Sequence, residues 1–318
     1  MTQMPIPQDE LVAAEPAIAA RGLVRRFGKV QALCGLDFTI PPGHVTALVG
    51  NNGAGKTTAI HVLMGFLPPN GGGATVLGLD PGRQAREIHK RVGFFPERDE
   101  PYGWIRLETL FAMGAAAYPS WDRELCAALC RRFELDPKRR VKQLSKGMAA
   151  KTKLIFALAH RPECLLLDEP TGGLDPGSRH DLRMMVQEQS RQRGVTTLFS
   201  THNLDDVPEV ATDVIVIHQG RTLLAADVQA IRNRFVLAEL VNGPAEAPPS
   251  VAELVLRSAV RPPAAIWLIK DRNSPAWAAF KNERGRGRVI EHRLSLPALF
   301  HFLTTGWIES APGEEEPS

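Results

Sequence analysis

The run Gly50-Asn51-Asn52-Gly53-Ala54-Gly55-Lys56-Thr57-Thr58 fits the pattern G-x-x-x-x-G-K-[ST]. Glycines at this spacing let a backbone turn tightly and aim its N–H groups at phosphate oxygens. A helix opening directly behind them adds unpaired donors and a partial positive charge. In that frame Lys56 reaches the outer phosphates and the Thr57 hydroxyl suits a Mg²⁺ ion. Far along the chain, Cys164-Leu165-Leu166-Leu167-Asp168-Glu169 carries an apolar strand into two adjacent carboxylates. Asp168 is placed to hold Mg²⁺, directly or through water. Glu169 is placed to orient or deprotonate a water aimed at a γ-phosphate. His202 closes a third apolar run, residues 195–199, after Ser200 and Thr201. The chemistry these residues imply is binding and hydrolysis of a nucleoside triphosphate.

Such groups work only if elements hold them. Residues 45–49 are apolar and read as a buried strand, and residues 57–65 read as helix, which is the context the glycine pattern requires. In open sheets of this kind ligands sit beyond the carboxyl ends of the strands, where Asp168, Glu169 and His202 all fall. Ser145 is placed as the N-cap of a helix whose apolar residues Leu154, Ile155, Leu158 and Ala159 follow at helical spacing. Residues 172–176 read as a turn, 178–191 as helix and 214–217 as a further strand. Before the glycine loop, residues 17–20 and 36–40 read as antiparallel strands, with a turn at 25–29. Residues 68–73, rich in Pro and Gly, read as a loop. Residues 92–96 read as a short strand, and 107–118 and 122–133 as helices of a mostly helical insertion. Phe27, with Val30 beside it, either stacks on an adenine face or is an ordinary core phenylalanine. Tyr102 and Trp104, on a charged loop, suit a docking surface or a packed lid.

Composition narrows the class. Charged residues make up 23% and hydrophobic ones 44% of 318 residues, ordinary for a globular protein. The net charge of +3, from 38 basic and 35 acidic residues, is too mild to argue for nucleic acid. The apolar runs are strand-sized, so no segment is expected to span a bilayer, and no signal-peptide pattern opens the chain. Four cysteines lack any C-x-x-C, and Cys126 and Cys130 at i, i+4 read as buried thiols rather than a metal pair. A reducing cytosol fits them.

Taken together, residues 17–234 resemble the nucleotide-binding subunit of an ABC transporter. The 50–58 run is similar to the Walker A motif, and Leu144-Ser145-Lys146-Gly147-Met148 to the family's signature. Residues 165–169 resemble Walker B with its glutamate, residues 172–175 the D-loop, and His202 the switch histidine. The resemblance implies an α/β P-loop NTPase fold, with a RecA-like core, an antiparallel β subdomain and a helical signature subdomain. It also implies that Phe27 stacks on adenine, with ATP and Mg²⁺ as cofactors. A second nucleotide-binding subunit is implied as well, most simply a homodimer in which Ser145 and Gly147 face the partner's γ-phosphate and Asp175 lies at the junction. A separate transmembrane permease would be the driven partner, placing the chain at the cytoplasmic face of the membrane. Two positions depart from the pattern. Glu97 stands where the family has a glutamine that contacts Mg²⁺, so Glu97 is expected to remain on the metal side. Met148 replaces a glutamine, and Lys146, in place of a glycine, reads as a solvated charge. Met148, Lys151 and Trp121-Asp122 resemble the subgroup that serves ABC-2-type permeases, which implies export.

Beyond residue 234 the composition changes. Residues 251–256, 264–269 and 288–293 read as strands and 296–304 as a short helix, giving a small α/β accessory domain over 235–306. Arg284, Arg286 and Arg288 form a basic patch that reads as a solvated turn rather than a lipid contact. Residues 1–16 and the acidic 307–318 read as disordered tails. A soluble ATPase acting on nucleic acid or ribosomes is the competing function. It is disfavoured by the single nucleotide site and by the compact segment between the glycine loop and the signature.

Overall fold

The computed structural model describes residues 15–97, 103–244, 246–285, 288–292 and 294–306. The chain divides into two compact units, one ending at Ala225 and the other running on from Ala226. The expected tails, Tyr102 and Arg286 fall outside the described residues, apart from Glu15 and Pro16.

The first unit opens with an antiparallel pair, β1 (Ile18–Phe27) and β2 (Val30–Ile40), joined at Gly28-Lys29. Both strands are longer than the sequence suggests, because the 25–29 stretch is mostly strand and only its end turns. Next come β3 (Val45–Val49) and α1 (Lys56–Leu63), and then β4 (Gly71–Val76), which pairs antiparallel with β1. The expected loop over 68–73 is therefore corrected: Gly71, Gly72 and Gly73 are strand residues. The reason is steric. The β1–β4 register breaks between Arg21 and Val24, and a Cβ on Gly72 would lie 2.2 Å from the Gly22 carbonyl oxygen, so only glycine passes there.

Helix α2 (Pro81–Arg91), capped by the Asp80 carboxylate, leads into β5 (Val92–Phe95). It buries only Pro81 and Ile88, too few apolar positions to show helical periodicity. The helical insertion consists of α3 (Leu107–Ala117), α4 (Arg123–Arg132) and α5 (Lys146–Ala159). Then follow β6 (Cys164–Leu167), α6 (Pro176–Arg193), β7 (Thr196–Thr201), the short α7 (Val207–Val210), β8 (Asp213–His218) and β9 (Arg221–Asp227).

Six strands form one sheet in the order β5-β6-β7-β3-β8-β9, and β5, β6, β7, β3 and β8 run parallel. Every residue of β3 and β6 is buried, as a central strand covered on both faces requires. A continuous apolar cluster reaches from Leu23, Leu36 and Phe38 of the antiparallel sheet through Ile60 and Leu63 of α1 to Leu166, Leu198 and Ile215. This packing fixes α1, and with it the glycine loop, against the strand ends.

In the second unit, α8 (Val228–Asn233) precedes β10 (Val236–Val241), β11 (Val255–Arg261) and β12 (Ala264–Ile269). Helix α9 (Pro275–Arg284), β13 (Val289–His292) and α10 (Leu296–Thr305) complete it. The sheet order is β11-β12-β10-β13, and the β11–β12, β12–β10 and β10–β13 pairings are all antiparallel. This is the split β-α-β order of ferredoxin-like folds. Helix α9 makes one crossover, and the other is an irregular segment ending in a 3₁₀ turn at Ala252–Leu254. The strand expected at 251–256 thus begins only at Val255, while β10 and α9 were not anticipated. Trp267, Trp277 and Phe280 centre the core on one face of this sheet.

Candidate functional site

Strand β3 delivers the 50–58 loop into a space that excludes side chains. A Cβ on Gly50 would lie 2.6 Å from the Ile217 carbonyl oxygen and 2.9 Å from the Ala54 Cβ. Gly55 has φ +107, and a Cβ there would lie 2.7 Å from the Ala32 carbonyl oxygen. Two glycines of the motif are thus required by close packing as well as by any ligand. Helix α1 begins at Lys56, whose side chain is only 6% exposed. Its Nζ donates to the Gly50 carbonyl at 2.8 Å and reaches the Asn51 carbonyl at 3.5 Å. Thr57 and Thr58 follow in the first turn of α1, and Asn51, Asn52, Gly53 and Ala54 make up the rest of the loop.

The carboxylates are delivered by β6. The Asp168 N–H donates to the Phe95 carbonyl at 2.8 Å, extending the β5–β6 pairing, and its side chain is 1% exposed. One of its oxygens, Oδ1, accepts from the Ser200 hydroxyl at 2.6 Å, and the Ser200 Oγ in turn accepts from the Glu169 N–H at 2.8 Å. Ser200 thereby ties both carboxylate residues to the end of β7. No sequence motif marks Ser200, because its contacts arise only from the pairing of β6 with β7. Glu169 has φ +45, a left-handed conformation that few non-glycine residues adopt. From this bend its carboxylate spans two groups. Oε1 lies 3.1 Å from Lys56 Nζ, and Oε2 lies 2.9 Å from His202 Nδ1. Lys56, Glu169 and His202, read separately from three strand ends, form one continuous chain of contacts, with His202 at its open end, 56% exposed.

A second constellation is built from helix starts. The Ser145 hydroxyl accepts from the Met148 N–H at 3.2 Å, capping α5. Gly147 is buried beneath the start of α6, where a Cβ would lie 2.3 Å from Ser178 Oγ and 3.3 Å from Asp175 Oδ2. Asp175 caps α6, accepting from the Ser178 N–H at 3.0 Å and from its hydroxyl at 2.7 Å. These bonds, the backbone one first, hold its carboxyl below the ordinary range. The Lys146 side chain is exposed, with its Nζ 3.8 Å from where a Gly173 Cβ would be. Among the described residues no hydrogen bond or ion pair joins Ser145 or Gly147 to the 50–58 loop.

Phe27 and Val30 are partners across the β1–β2 turn, and they are 44% and 67% exposed. That sets aside the core-phenylalanine reading. The Arg25 guanidinium lies 4.7 Å from the Phe27 ring centroid, a contact the sequence reading missed. Glu97 follows β5, and Lys153 Nζ lies 3.2 Å from the Pro96 carbonyl and 3.4 Å from that of Glu97. Trp104 is 69% exposed, against the packed-lid reading. Cys126 and Cys130 are buried, and no group of three or more metal-ligating side chains occurs among the described residues.

Comparison with known proteins agrees with this geometry. The family model described as ABC transporter matches residues 33–172. An ABC transporter ATP-binding protein of Bacillus subtilis, YdbJ, is 32% identical over 220 residues, covering 68% of this chain and 71% of its own length. The daunorubicin resistance ATP-binding protein DrrA2 of Streptomyces coeruleorubidus is 35% identical over 226 residues, covering 68% and 69%. A solved ATP-binding subunit of an ABC transporter superposes with a TM-score of 0.62 at 26% identity, over 68% of this chain and 92% of that one. The glycine loop, the carboxylate pair and the capped signature helix therefore sit on a P-loop NTPase fold, and the chain belongs to the ATP-binding subunits of ABC transporters, which are ATPases.

Proposed function

We propose that this chain hydrolyses ATP to drive export through a separate membrane permease, with the reaction centred on the Lys56–Glu169–His202 chain of contacts. That chain is the observation that carries the reading. Phosphate oxygens compete with Glu169 Oε1 for Lys56 Nζ. Once the ammonium turns to them, Oε1 is free to take a proton from the attacking water, while His202 steadies Oε2. Ser200, by holding Asp168 and the Glu169 backbone together, keeps the base aimed. Phe27 and Val30 offer an exposed apolar platform for adenine.

Mg²⁺ suits the donors present. The Thr57 hydroxyl and the Asp168 and Glu97 carboxylates are hard oxygen ligands, and Asp168 is buried and steadied by Ser200. Bound there, the ion would neutralise charge developing on the β- and γ-phosphate oxygens.

Ser145 and Gly147, with the positive start of α5, are assigned to the γ-phosphate of a second copy of the chain, with Asp175 at the junction. Residues 17–234 form the ATP-binding domain in this reading, and 235–306 are accessory to it. No described helix is long and apolar enough to cross a membrane, which fits peripheral attachment through the permease at the cytoplasmic face. Export, and the ABC-2 type of permease, draw support from the drug-resistance relative. The decisive pair of experiments is ATPase measurement on Glu169→Gln and affinity purification of the tagged chain from detergent-solubilised membranes. Wild-type turnover in the variant removes the assigned base. Recovery without any integral membrane protein removes the permease.

A further inference from the structure

The loop that carries His202 is pinned at both ends. Ser200 fixes its start, through Asp168 Oδ1 and the Glu169 N–H. Asp206 fixes its end. This residue closes a short 3₁₀ turn, Leu204–Asp206, and is 5% exposed. Its Oδ2 accepts from the Thr171 hydroxyl at 3.1 Å, and its Oδ1 from the Arg183 guanidinium at 3.2 Å. Thr171 is itself buried and lies two residues beyond Glu169. Arg183 belongs to α6 and also pairs with Glu209 at 2.6 Å. One buried carboxylate thus ties together the segment after Glu169, helix α6 and the far end of the His202 loop.

Between the two pins the loop keeps its shape through local turns. The Thr201 hydroxyl accepts from the Asn203 N–H at 2.9 Å, and the Asn203 side chain from the Asp205 N–H at 3.2 Å. His202 itself is 56% exposed, so packing does not grip its ring, and the backbone beneath it decides where Nδ1 points. Contact with Glu169 Oε2 at 2.9 Å therefore needs the loop and the Glu169 segment held at a fixed separation. A buried carboxylate that served stability alone could take its donors from any neighbouring element. Here one donor comes from the Glu169 segment itself. We propose that Asp206 is a positioning residue for ATP hydrolysis, which through Thr171 holds the His202 ring against Glu169. The inference rests on the Lys56–Glu169–His202 contacts being the reacting set. Asp206 touches neither nucleotide nor water in this role and acts only through His202. A misplacement of about 1 Å can cost up to ~10²-fold in rate.

The test is a double-mutant cycle on ATP turnover of the full chain, run well below the melting temperature of every variant. Asp206→Ala should lower kcat roughly 10–100-fold and leave the KM for ATP unchanged. In a His202→Ala background the same substitution should cost nothing further. An unchanged kcat, or a loss of equal size in both backgrounds, overturns the positioning role while leaving His202 in the reaction. Turnover indifferent to His202→Ala alone removes the underlying reading, and this role of Asp206 with it. Thr171→Val is the gentler break, since it keeps the Arg183 contact and the shape of the side chain. Should Asp206→Ala fold poorly, or His202→Ala leave no measurable turnover, nuclear magnetic resonance of the histidine-labelled Thr171→Val chain decides the matter. The His202 ring signal is assigned by its loss in His202→Ala. A signal displaced from its wild-type position supports the link, and an unmoved one refutes it.

Discussion

The strand ends around Glu169 and the sheet around Trp277 both join a lysine to a glutamate, but they complete the contacts differently. In the second unit Glu291 accepts from the Trp277 indole N–H at 2.7 Å and from Lys281 Nζ at 2.7 Å, and the set closes on itself. At the strand ends, Lys56, Glu169 and His202 make a line with one end exposed. The first arrangement holds a core in register. In the proposed reading, the second leaves a lysine and a carboxylate for an incoming phosphate and water to re-partner. A buried ion pair alone therefore says little about function; whether its network is closed or open says more.

Substitutions can break or sharpen this contrast. The largest effect is expected from Glu169→Gln, which should cut ATP turnover about 10²–10⁴-fold, as loss of a general base does. ATP binding should persist, and leaving the buried Lys56 with a neutral partner should cost about 1–3 kcal/mol of stability; unchanged turnover alongside that loss would mean the strand-end network is structural after all. Trp277→Ala comes next, with about 3–5 kcal/mol lost from the second unit. Calorimetry should show its transition fall, while ATPase activity persists at temperatures where the first unit stays folded. A parallel collapse of turnover would make both networks one system.

Ser200→Ala should cost about 1–3 kcal/mol, since it leaves the Asp168 Oδ1 and the Glu169 N–H without their shared partner. A higher Mg²⁺ requirement for half-maximal turnover would separate its positioning role from simple destabilisation. The smallest effect concerns pH. Burial pushes the Glu291 carboxyl up, but the Lys281 and Trp277 bonds outweigh it and hold the group below its ordinary value. A depressed carboxyl contributes stability that is complete above its unfolded pKa, about 4.3. That contribution is lost as pH falls through the folded value. The melting temperature of the second unit should therefore drop on acidification, and Glu291→Gln should flatten that slope.

The same contrast explains what could be read from the sequence. The 50–58 loop, Asp168-Glu169 and the Ser145 cap are legible because each is local: backbone geometry fixes the spacing of the residues proposed to act. Ser200 was not legible, because its two partners lie across a strand pairing, 32 and 31 residues away. Gly71 to Gly73 misled because glycine marks loops and close backbone approaches alike, and only the β1 irregularity shows which applies. In the second unit, β10 and α9 escaped notice because no motif anchors them. The helical signal of α9 rests on Trp277 and Phe280 as its buried residues. The exposure of Phe27 and Trp104 likewise depends on what packs nearby, which composition does not reveal.

The left-handed bend at Glu169 bears on how this chain can change over generations. Holding a residue with a side chain there costs roughly 1–2 kcal/mol relative to glycine. Glycine would relieve that strain but would leave the buried Lys56 ammonium without its carboxylate, a loss of about 3–5 kcal/mol. The strained bend is thus the sturdier choice, because the contact it permits outweighs its cost. A lineage released from the need to hydrolyse ATP would still keep a carboxylate at 169 for the sake of the fold, so glutamate there does not by itself mark a working copy.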